Sequence, residues 1–474
     1  MRICLLTEGS YPYIVGGVSS WVQMLIEGFP EHEFVLYSIG AEQKDRGHFR
    51  YKRPKNLVAI QEVFLDEILA LRSPAMRMHT LQPAEKVCLQ ELVMGDNPIR
   101  LHELIAIFRG RRKRDPLEIF MSADFFDVIE EVYQKKYSYL PFTDFFWTMR
   151  SMLLPLFYLL QQELPEADAY HSVATGYCGI LGGIAAELYK KPFLITEHGI
   201  YSREREAEII KCQWAKGDFK SVWIQYFYNL AHLAYEKASQ VFTLFEKNAQ
   251  TEMELGCAPE KIGIIPNGIH LERFQDIPEA PLQAEPLIIG AVVRVVPIKD
   301  IITMLRAFFL VKQALHDAKL YIMGPCEEDP EYYALCQQTV EILQLQDVEF
   351  TGSVKVTDYL GKMDILLLSS ISEGQPLAVL EGQGAHRPFV TTDVGCCREL
   401  IYGRTGDERG AAGAVVAPMD YDNMAREILR LARNPELRQR MGRIGFERVK
   451  AAYTYEKFID SYRKVYAGLQ EEEN

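Results

Sequence analysis

Short β-branched or aliphatic runs alternate along this chain with longer helical patterns, the arrangement expected of α/β units with parallel strands. The pattern occurs twice. The first set contains RICLLT, EFVLYSI, AYHSVA, FLITEH and QVFTLF, and the second contains LIIGAVV, AKLYIMG, VEFTGSV, DILLLSS, RPFVTTD and GAVVAP. Between them lies QDIPEAPLQAEP (Gln275 to Pro286), rich in proline and acidic residues, which reads as a linker. Two doubly wound domains follow, expected at 1–280 and 281–455. A last helix over 456–474 comes after the final strand and is expected to pack back across the domain junction.

One segment breaks the rhythm. From about Ala41 to Glu163 the chain is mostly helical and mixed in charge, with no clear strand alternation beyond its start, and reads as an insertion in the first domain. Within it, FWTMRSMLLPLFYLL (Phe146 to Leu160) falls short of the roughly 18 to 20 apolar residues a membrane span requires, and it contains Arg150 and Pro155. It reads as a buried helix, with a surface for a membrane-embedded partner as the alternative. The basic run RGRRKRD (Arg109 to Asp115) reads as a solvated helix end or loop, against contact with anionic lipid or a partner.

Composition narrows the functions open to such a chain. At 474 residues, 48% of them hydrophobic, it can bury more than one core. With 52 Lys plus Arg against 65 Asp plus Glu, the net charge is −13, which disfavours general nucleic-acid binding and means any anionic ligand needs a local cationic cluster. The nine scattered cysteines show no zinc-ligand spacing and suit reduced thiols in a cytosolic protein. MRICLLTEG is of strand length and too short for a signal peptide, so residue 1 is expected to start the mature fold.

Candidate chemistry gathers at strand ends. In SEGQPLAVLEGQG, Pro376 fits the first turn of a helix, Glu373 then falls in the loop before it, and Glu381 lies about a turn and a half inside. The free amides of that first turn and the helix dipole form an anion site between the two carboxylates, a layout that suits a sugar nucleotide. The alternative is a capped helix with two exposed glutamates. GAVVRVVPIKD places Arg294 and Lys299 in a loop at the carboxyl edge of a strand, where two cations could neutralise a diphosphate or serve as surface charge.

Gly16 and Gly17 sit between a strand and a helix, where backbone can approach a ligand closely. Glu197, His198 and Gly199 end another strand, and His198 is either structural or a substrate contact. Two further motifs are weaker. GYCGILGG has glycine spacing G-x-x-G-x-x-G-G, which departs from a dinucleotide fingerprint. Asp420 and Asp422 form a D-x-D that helix capping explains better than a metal site.

Taken together, the strand before Gly16-Gly17, TEHG, IIPNGIHLERF, VVRVVPIKD, VEFTGSV, and Glu373 with Glu381 in an E-x(7)-E pattern resemble the retaining glycosyltransferases of family 4. The resemblance covers most of the chain outside the insertion. It implies the GT-B fold, two Rossmann-like doubly wound domains facing a central cleft, with a helical insertion in the N-terminal one. It also implies retaining transfer of a hexose or N-acetylhexosamine from a UDP-sugar to a growing glycan, with no metal and no cofactor beyond the donor, UDP-glucose or a UDP-N-acetylhexosamine.

By the same resemblance, Arg294 and Lys299 would grip the donor diphosphate, Glu381 the ribose, and Glu373 the transferred sugar. The backbone from Gln375 through Pro376 and Leu377 to Ala378 would hold sugar hydroxyls and phosphate, and the turn from Thr351 to Val354 the base. His198 would lie near the anomeric carbon, and Gly17 beside the phosphate. More narrowly, the opening RICLLTEGSYPYIVGGVSSWV and the helical insertion resemble glycosyltransferases of the bacterial Pel exopolysaccharide system. That likeness implies a cytoplasmic enzyme of biofilm matrix synthesis, held at the inner membrane by a Pel complex. Two other readings stay open: a UDP-sugar epimerase or phosphorylase on a similar scaffold, and a binding subunit that has lost turnover.

Overall fold

The computed structural model describes residues 1–70, 81–95, 100–110, 114–280, 282 and 286–471. Thirteen strands among these residues fall into two sheets. The first contains β1 (Arg2–Glu8), β2 (Glu33–Gly40), β3 (Leu57–Phe64), β4 (Ala169–Ser172), β5 (Phe193–Glu197), β6 (Gln240–Thr243) and β7 (Ile262–Ile264), in the order β3-β2-β1-β4-β5-β6-β7. The second contains β8 (Ile288–Val292), β9 (Lys319–Met323), β10 (Val348–Gly352), β11 (Ile365–Leu368), β12 (Phe389–Thr392) and β13 (Gly413–Val416), in the order β10-β9-β8-β11-β12-β13.

Neighbours from β3 to β6 pair in parallel, as do all neighbours of the second sheet. Parallel strands need crossover connections, and helices on both faces bury them, which is why β8 and β11 read as unbroken apolar runs. Each sheet reverses its strand order once: between β1 and β4 in the first, and between β8 and β11 in the second.

The chain divides into two compact units. Unit one holds Met1–Thr243, Ala249–Gly263 and the chain from Ala467; unit two holds Leu244–Asn248 and Ile264–Tyr466. The second unit therefore begins ahead of residue 281, because Ile269 and Phe274 bury in its core. Positions 281 and 283–285 of the proline-rich stretch lie outside the described residues. The last helix is Tyr455–Glu471.

The span read as a helical insertion opens with β3, a strand the apolar pattern missed, which pairs along β2 from Phe34↔Leu57 to Gly40↔Phe64. Helices follow, among them Pro83–Met94, Leu101–Arg109, Ala123–Val132 and Phe142–Gln161. The last of these buries Phe145, Met149, Met152, Leu153, Leu156, Phe157 and Leu160 in the first core despite Pro155 inside it. No helix among the described residues is long and apolar enough to cross a membrane.

The expectation of a solvated basic run is corrected at its two described ends. Arg109 donates through Nε to the Leu160 carbonyl at 2.8 Å, and buried Arg114 pairs with buried Glu85 at 2.8 Å. Positions 111–113 of the run lie outside the described residues.

Candidate functional site

In an open parallel sheet, ligands bind beyond the carboxyl ends of the strands where the order reverses. In unit two that point lies between the loops after β8 and β11, and the sequence candidates gather there. Lys299 ends a short turn, Pro297–Lys299, and Glu373 lies in the loop after β11. Lys299 Nζ stands 2.5 Å from Glu373 Oε1, with both side chains largely buried. The buried Ser370 hydroxyl donates to the same Oε1 at 2.5 Å, which leaves the second carboxylate oxygen of Glu373 for other partners.

Backbone and hydroxyl bonds tie these two loops together. Ser369 Oγ donates to the carbonyls of Lys299 and Asp300 at 2.8 and 2.9 Å, and Ile371 N donates to the Ile298 carbonyl at 2.9 Å. From the side of β12, Cys396 N donates to the Gly374 carbonyl at 3.1 Å. The loop bearing Glu373 is thus held from two directions, as a preorganised binding group needs.

The helix after that loop is Leu377–Gly384, and Pro376 is its N-cap residue rather than a first-turn residue. Pro376 has an extended ψ of 108°, so the helix starts one residue later than the proline rule suggested. The helix has no side-chain cap and no acidic residue in its first turn, so the amides that begin at Leu377 and Ala378 keep their pull on an anion. Gln375, before the proline, accepts a 2.7 Å bond from the Asn267 amide through Oε1. Its buried Nε2 and the buried Asn267 Oδ1 make no hydrogen bond within the protein.

Not every candidate joins this cluster. Arg294 turns to Glu328, with Nη1 2.7 Å from Oε2, rather than to Glu373. Glu381 lies inside the helix; burial raises its carboxyl above the usual range, against the opposing pull of Arg273. Thr351 and Val354 sit at the carboxyl end of β10, the edge strand, two strands from β8. Thr351 donates to the Gly352 carbonyl at 3.0 Å, and Val354 packs on the second core. Three buried arginines of this unit are structural: Arg387 donates to backbone carbonyls, Arg438 faces Asp364, and Arg448 pairs with Asp407 at 2.8 Å. Asp420 caps the helix Tyr421–Ala432 by accepting from Asn423 N at 3.0 Å, which gives the D-x-D its structural role.

In unit one the reversal lies between β1 and β4. The helix Gly17–Gly28 has Gly16 as its N-cap, no side-chain cap and no acid in its first turn. Its approach is open, since a Cβ at Gly16 or Gly17 would meet nothing within 4 Å. The helix Tyr177–Tyr189, which starts inside GYCGILGG, differs. Glu8, at the end of β1, accepts the Cys178 amide at 3.3 Å and the Tyr201 hydroxyl at 2.7 Å. A carboxylate of the protein itself thus occupies the helix start where a dinucleotide pyrophosphate would sit.

His198 follows β5. Its Nε2 is enclosed without a hydrogen bond within the protein, and burial lowers its pKa to about 3, so the ring is neutral at working pH. Trp21 packs against it edge to face, with ring centroids 4.9 Å apart at 78°. The neighbouring Glu197 points the other way, as strand alternation requires. Its Oε1 accepts from Thr175 Oγ1 and Tyr201 N at 3.0 and 3.1 Å, and its Oε2 from Tyr235. Glu197 is therefore fully engaged in holding the fold. Sequence reasoning missed Ser370, Asn267 and Glu328; a serine three residues before Glu373 was the one local signal available.

Two parallel-sheet Rossmann-like domains with a polar cluster at a reversal point define the class, and comparison with known proteins agrees. Residues 286–434 match the family "Glycosyl transferases group 1", and the structural neighbours are GT-B proteins. The chain belongs to the family described as "Domain of unknown function (DUF3492)", which it matches over residues 1–260.

Among solved structures, sucrose-phosphate synthase from Thermosynechococcus elongatus superposes with a TM-score of 0.62 at 16% identity, covering 99% of each chain. Anabaena HepE in complex with UDP gives 0.63 at 12% identity, covering 99% of this chain and 100% of that one. These likenesses show the fold. Among sequences, the UDP-Gal:alpha-D-GlcNAc-diphosphoundecaprenol alpha-1,3-galactosyltransferase of Escherichia coli is 26% identical over 51% of this chain and 61% of its own length. The capsular polysaccharide biosynthesis glycosyltransferase CapM of Staphylococcus aureus is 23% identical over 66% of this chain and 80% of its own length. The chain spans less than two thirds of the first relatives it matches, 61% of the E. coli enzyme and 65% of a Mycolicibacterium hassiacum mannosyltransferase.

Proposed function

We propose that this protein is a retaining glycosyltransferase that moves a hexose or N-acetylhexosamine from a UDP-sugar to a growing polysaccharide without a metal ion. The observation that carries the reading is the Lys299–Glu373–Ser370 cluster at the β8/β11 reversal, beside a helix start with no acid of its own. An ammonium there can neutralise a phosphate of the donor and stabilise the charge that develops as the nucleotide leaves. Glu373 has an oxygen left to accept hydroxyls of the transferred sugar. Arg294 is assigned to the same diphosphate, Glu381 to the ribose and the Thr351–Val354 turn to the base.

In unit one, neutral His198 offers Nε2 to a donor hydroxyl near the anomeric carbon, and the open Gly16-Gly17 helix start offers amides to an anion. No covalent nucleophile is assigned. Attack on the face that the nucleotide leaves, with the donor phosphate taking the acceptor proton, makes positioning the protein's main contribution. The named activities of the E. coli and S. aureus relatives, and the UDP bound by Anabaena HepE, are in keeping with a UDP-sugar donor and a glycan acceptor. The narrower assignment is to Pel exopolysaccharide synthesis for biofilm matrix. It rests on the opening segment and the insertion, which resemble PelF, and it implies a cytoplasmic protein working with inner-membrane Pel components.

The first experiment is thermal stabilisation by UDP, GDP and ADP, each with and without magnesium. A ligand at 100 times its dissociation constant adds about 2.7 kcal/mol. Stabilisation by UDP alone, independent of magnesium, and weakened in Arg294→Ala, is the expected result. Stabilisation by another nucleotide, or only with metal, would replace the donor assignment.

A further inference from the structure

The guanidinium assigned to the donor diphosphate already has a partner. Glu328 lies in an acidic turn after β9, between Glu327 and Asp329, and its neighbours are committed locally. Glu327 accepts the Cys326 amide at 3.0 Å, and Asp329 caps the helix Pro330–Ile342 by accepting Tyr332 N at 2.9 Å. Glu328 instead reaches across to Arg294, in the loop after the neighbouring strand β8.

Backbone sets this approach. Val293 N donates to the Met323 carbonyl and Val295 N to the Pro325 carbonyl, both at 2.9 Å, so the two loops run side by side. Gly324 permits it, since a Cβ there would stand 2.1 Å from the Val293 carbonyl oxygen. The side chains, by contrast, are free to part, with Arg294 51% and Glu328 41% exposed. An ion pair that exposed is weak, and a phosphate, with more charge and more acceptor oxygens, displaces a carboxylate from it.

We propose that Glu328 is a built-in competitor for Arg294 that speeds release of the nucleoside diphosphate product. On donor arrival the diphosphate takes Arg294 and Glu328 swings into solvent. After transfer Glu328 reclaims the guanidinium as the product leaves, which lowers affinity for the nucleotide and shortens its residence. Product release limits turnover in many enzymes, so a group that trades affinity for release serves the reaction. The inference rests on the assignment of Arg294 to the donor diphosphate.

The test compares the full-length protein with Glu328→Gln, Arg294→Gln and the double variant. It measures UDP dissociation by stopped-flow displacement, and UDP and uridine affinity at equilibrium. The expected result is UDP dissociation about two- to fivefold slower in Glu328→Gln, the range set by an exposed ion pair. Uridine affinity stays unchanged, the effect shrinks at high salt, and it vanishes when Arg294 is also replaced. An unchanged UDP off-rate in Glu328→Gln, while Arg294→Gln still weakens UDP, overturns the competitor role and leaves the clamp standing. An equal effect on uridine also overturns it, because a carboxylate acting through fold alone would not sense the phosphates. UDP affinity indifferent to Arg294→Gln overturns the clamp assignment and this inference with it.

Discussion

The two units solve the same topological problem and reach opposite charges. Each sheet reverses order around its first strand, β2-β1-β4 in one and β9-β8-β11 in the other, and each reversal opens a crevice next to a helix start. In unit one the last residue of β1 is Glu8, whose carboxylate occupies the start of the Tyr177–Tyr189 helix. In unit two the loop after β8 supplies Lys299 and Arg294 instead, and the Leu377–Gly384 helix has no acid in its first turn. Topology supplies free amides in both places. The sign of the side chain delivered by the first strand decides whether a ligand anion can use them.

Reversing that sign in unit two should have the largest effect. Lys299→Met removes the cation and leaves Glu373, whose side chain is 10% exposed, with the Ser370 hydroxyl but no countercharge. Transfer should fall by about 10²- to 10³-fold, as when a charge-stabilising donor is lost, and UDP should no longer stabilise the protein. Retained UDP stabilisation with full turnover would remove Lys299 from the site. The next largest effect is expected at His198 of unit one. His198→Ala should lower kcat by about 10- to 100-fold, one hydrogen bond to a reacting group, while UDP still stabilises the protein. Because burial holds the imidazole at about pH 3, the wild-type profile should show no acid limb from His198 between pH 5 and 8. A limb near the ordinary imidazole value that disappears in His198→Ala would contradict a neutral ring.

What could be read in advance follows the same division. All six strands of unit two were legible as short β-branched or aliphatic runs between helical patterns, and the central pair β8 and β11 is apolar throughout because helices cover both faces. In unit one β3 was not, since LVAIQEVF carries Gln61 and Glu62 on an edge strand, and Glu62 is spent on the Tyr13 hydroxyl at 2.8 Å. At three residues, β7 is too short for any periodicity. Arg294, Lys299 and Glu373 announced themselves because they follow strands, and the carboxyl edge is where ligands bind. Asn267 and Glu328 did not, since their partners lie 108 and 34 residues away and only the folded chain brings them together.

Two variants of unit one sharpen the contrast at smaller scale. Glu8→Gln keeps the shape and removes the charge from the helix start. It should cost about 1 to 2 kcal/mol of stability, read from denaturant unfolding, with UDP affinity unchanged. A large loss of UDP affinity would mean that this reversal point also serves the donor. Glu252 tests burial without a partner cation. Burial, and then the nearby Glu197, push its carboxyl up to about 9 from an ordinary 4.5. Between those values the folded protein holds a proton that the unfolded chain has released, so stability is lost as pH rises through the window. Glu252→Gln should therefore stabilise the protein more at pH 8 than at pH 5. An equal effect at both values would show that the carboxyl titrates normally.

The smallest expected change is the most discriminating for unit one. At Gly17 a Cβ would meet nothing within 4 Å, and the preceding Gly16 is fully extended at φ 179°, a conformation any residue adopts. The fold thus gives no reason for glycine, and Gly17→Ala should alter stability by less than about 0.5 kcal/mol. If a donor phosphate comes to within contact of that backbone, the added methyl group stands in its way, and transfer should drop about tenfold while the melting temperature holds. If transfer is also unchanged, the open helix start binds nothing in the reaction. The capacity for anions would then belong to unit two alone, with unit one's crevice closed by Glu8 on one side and idle on the other.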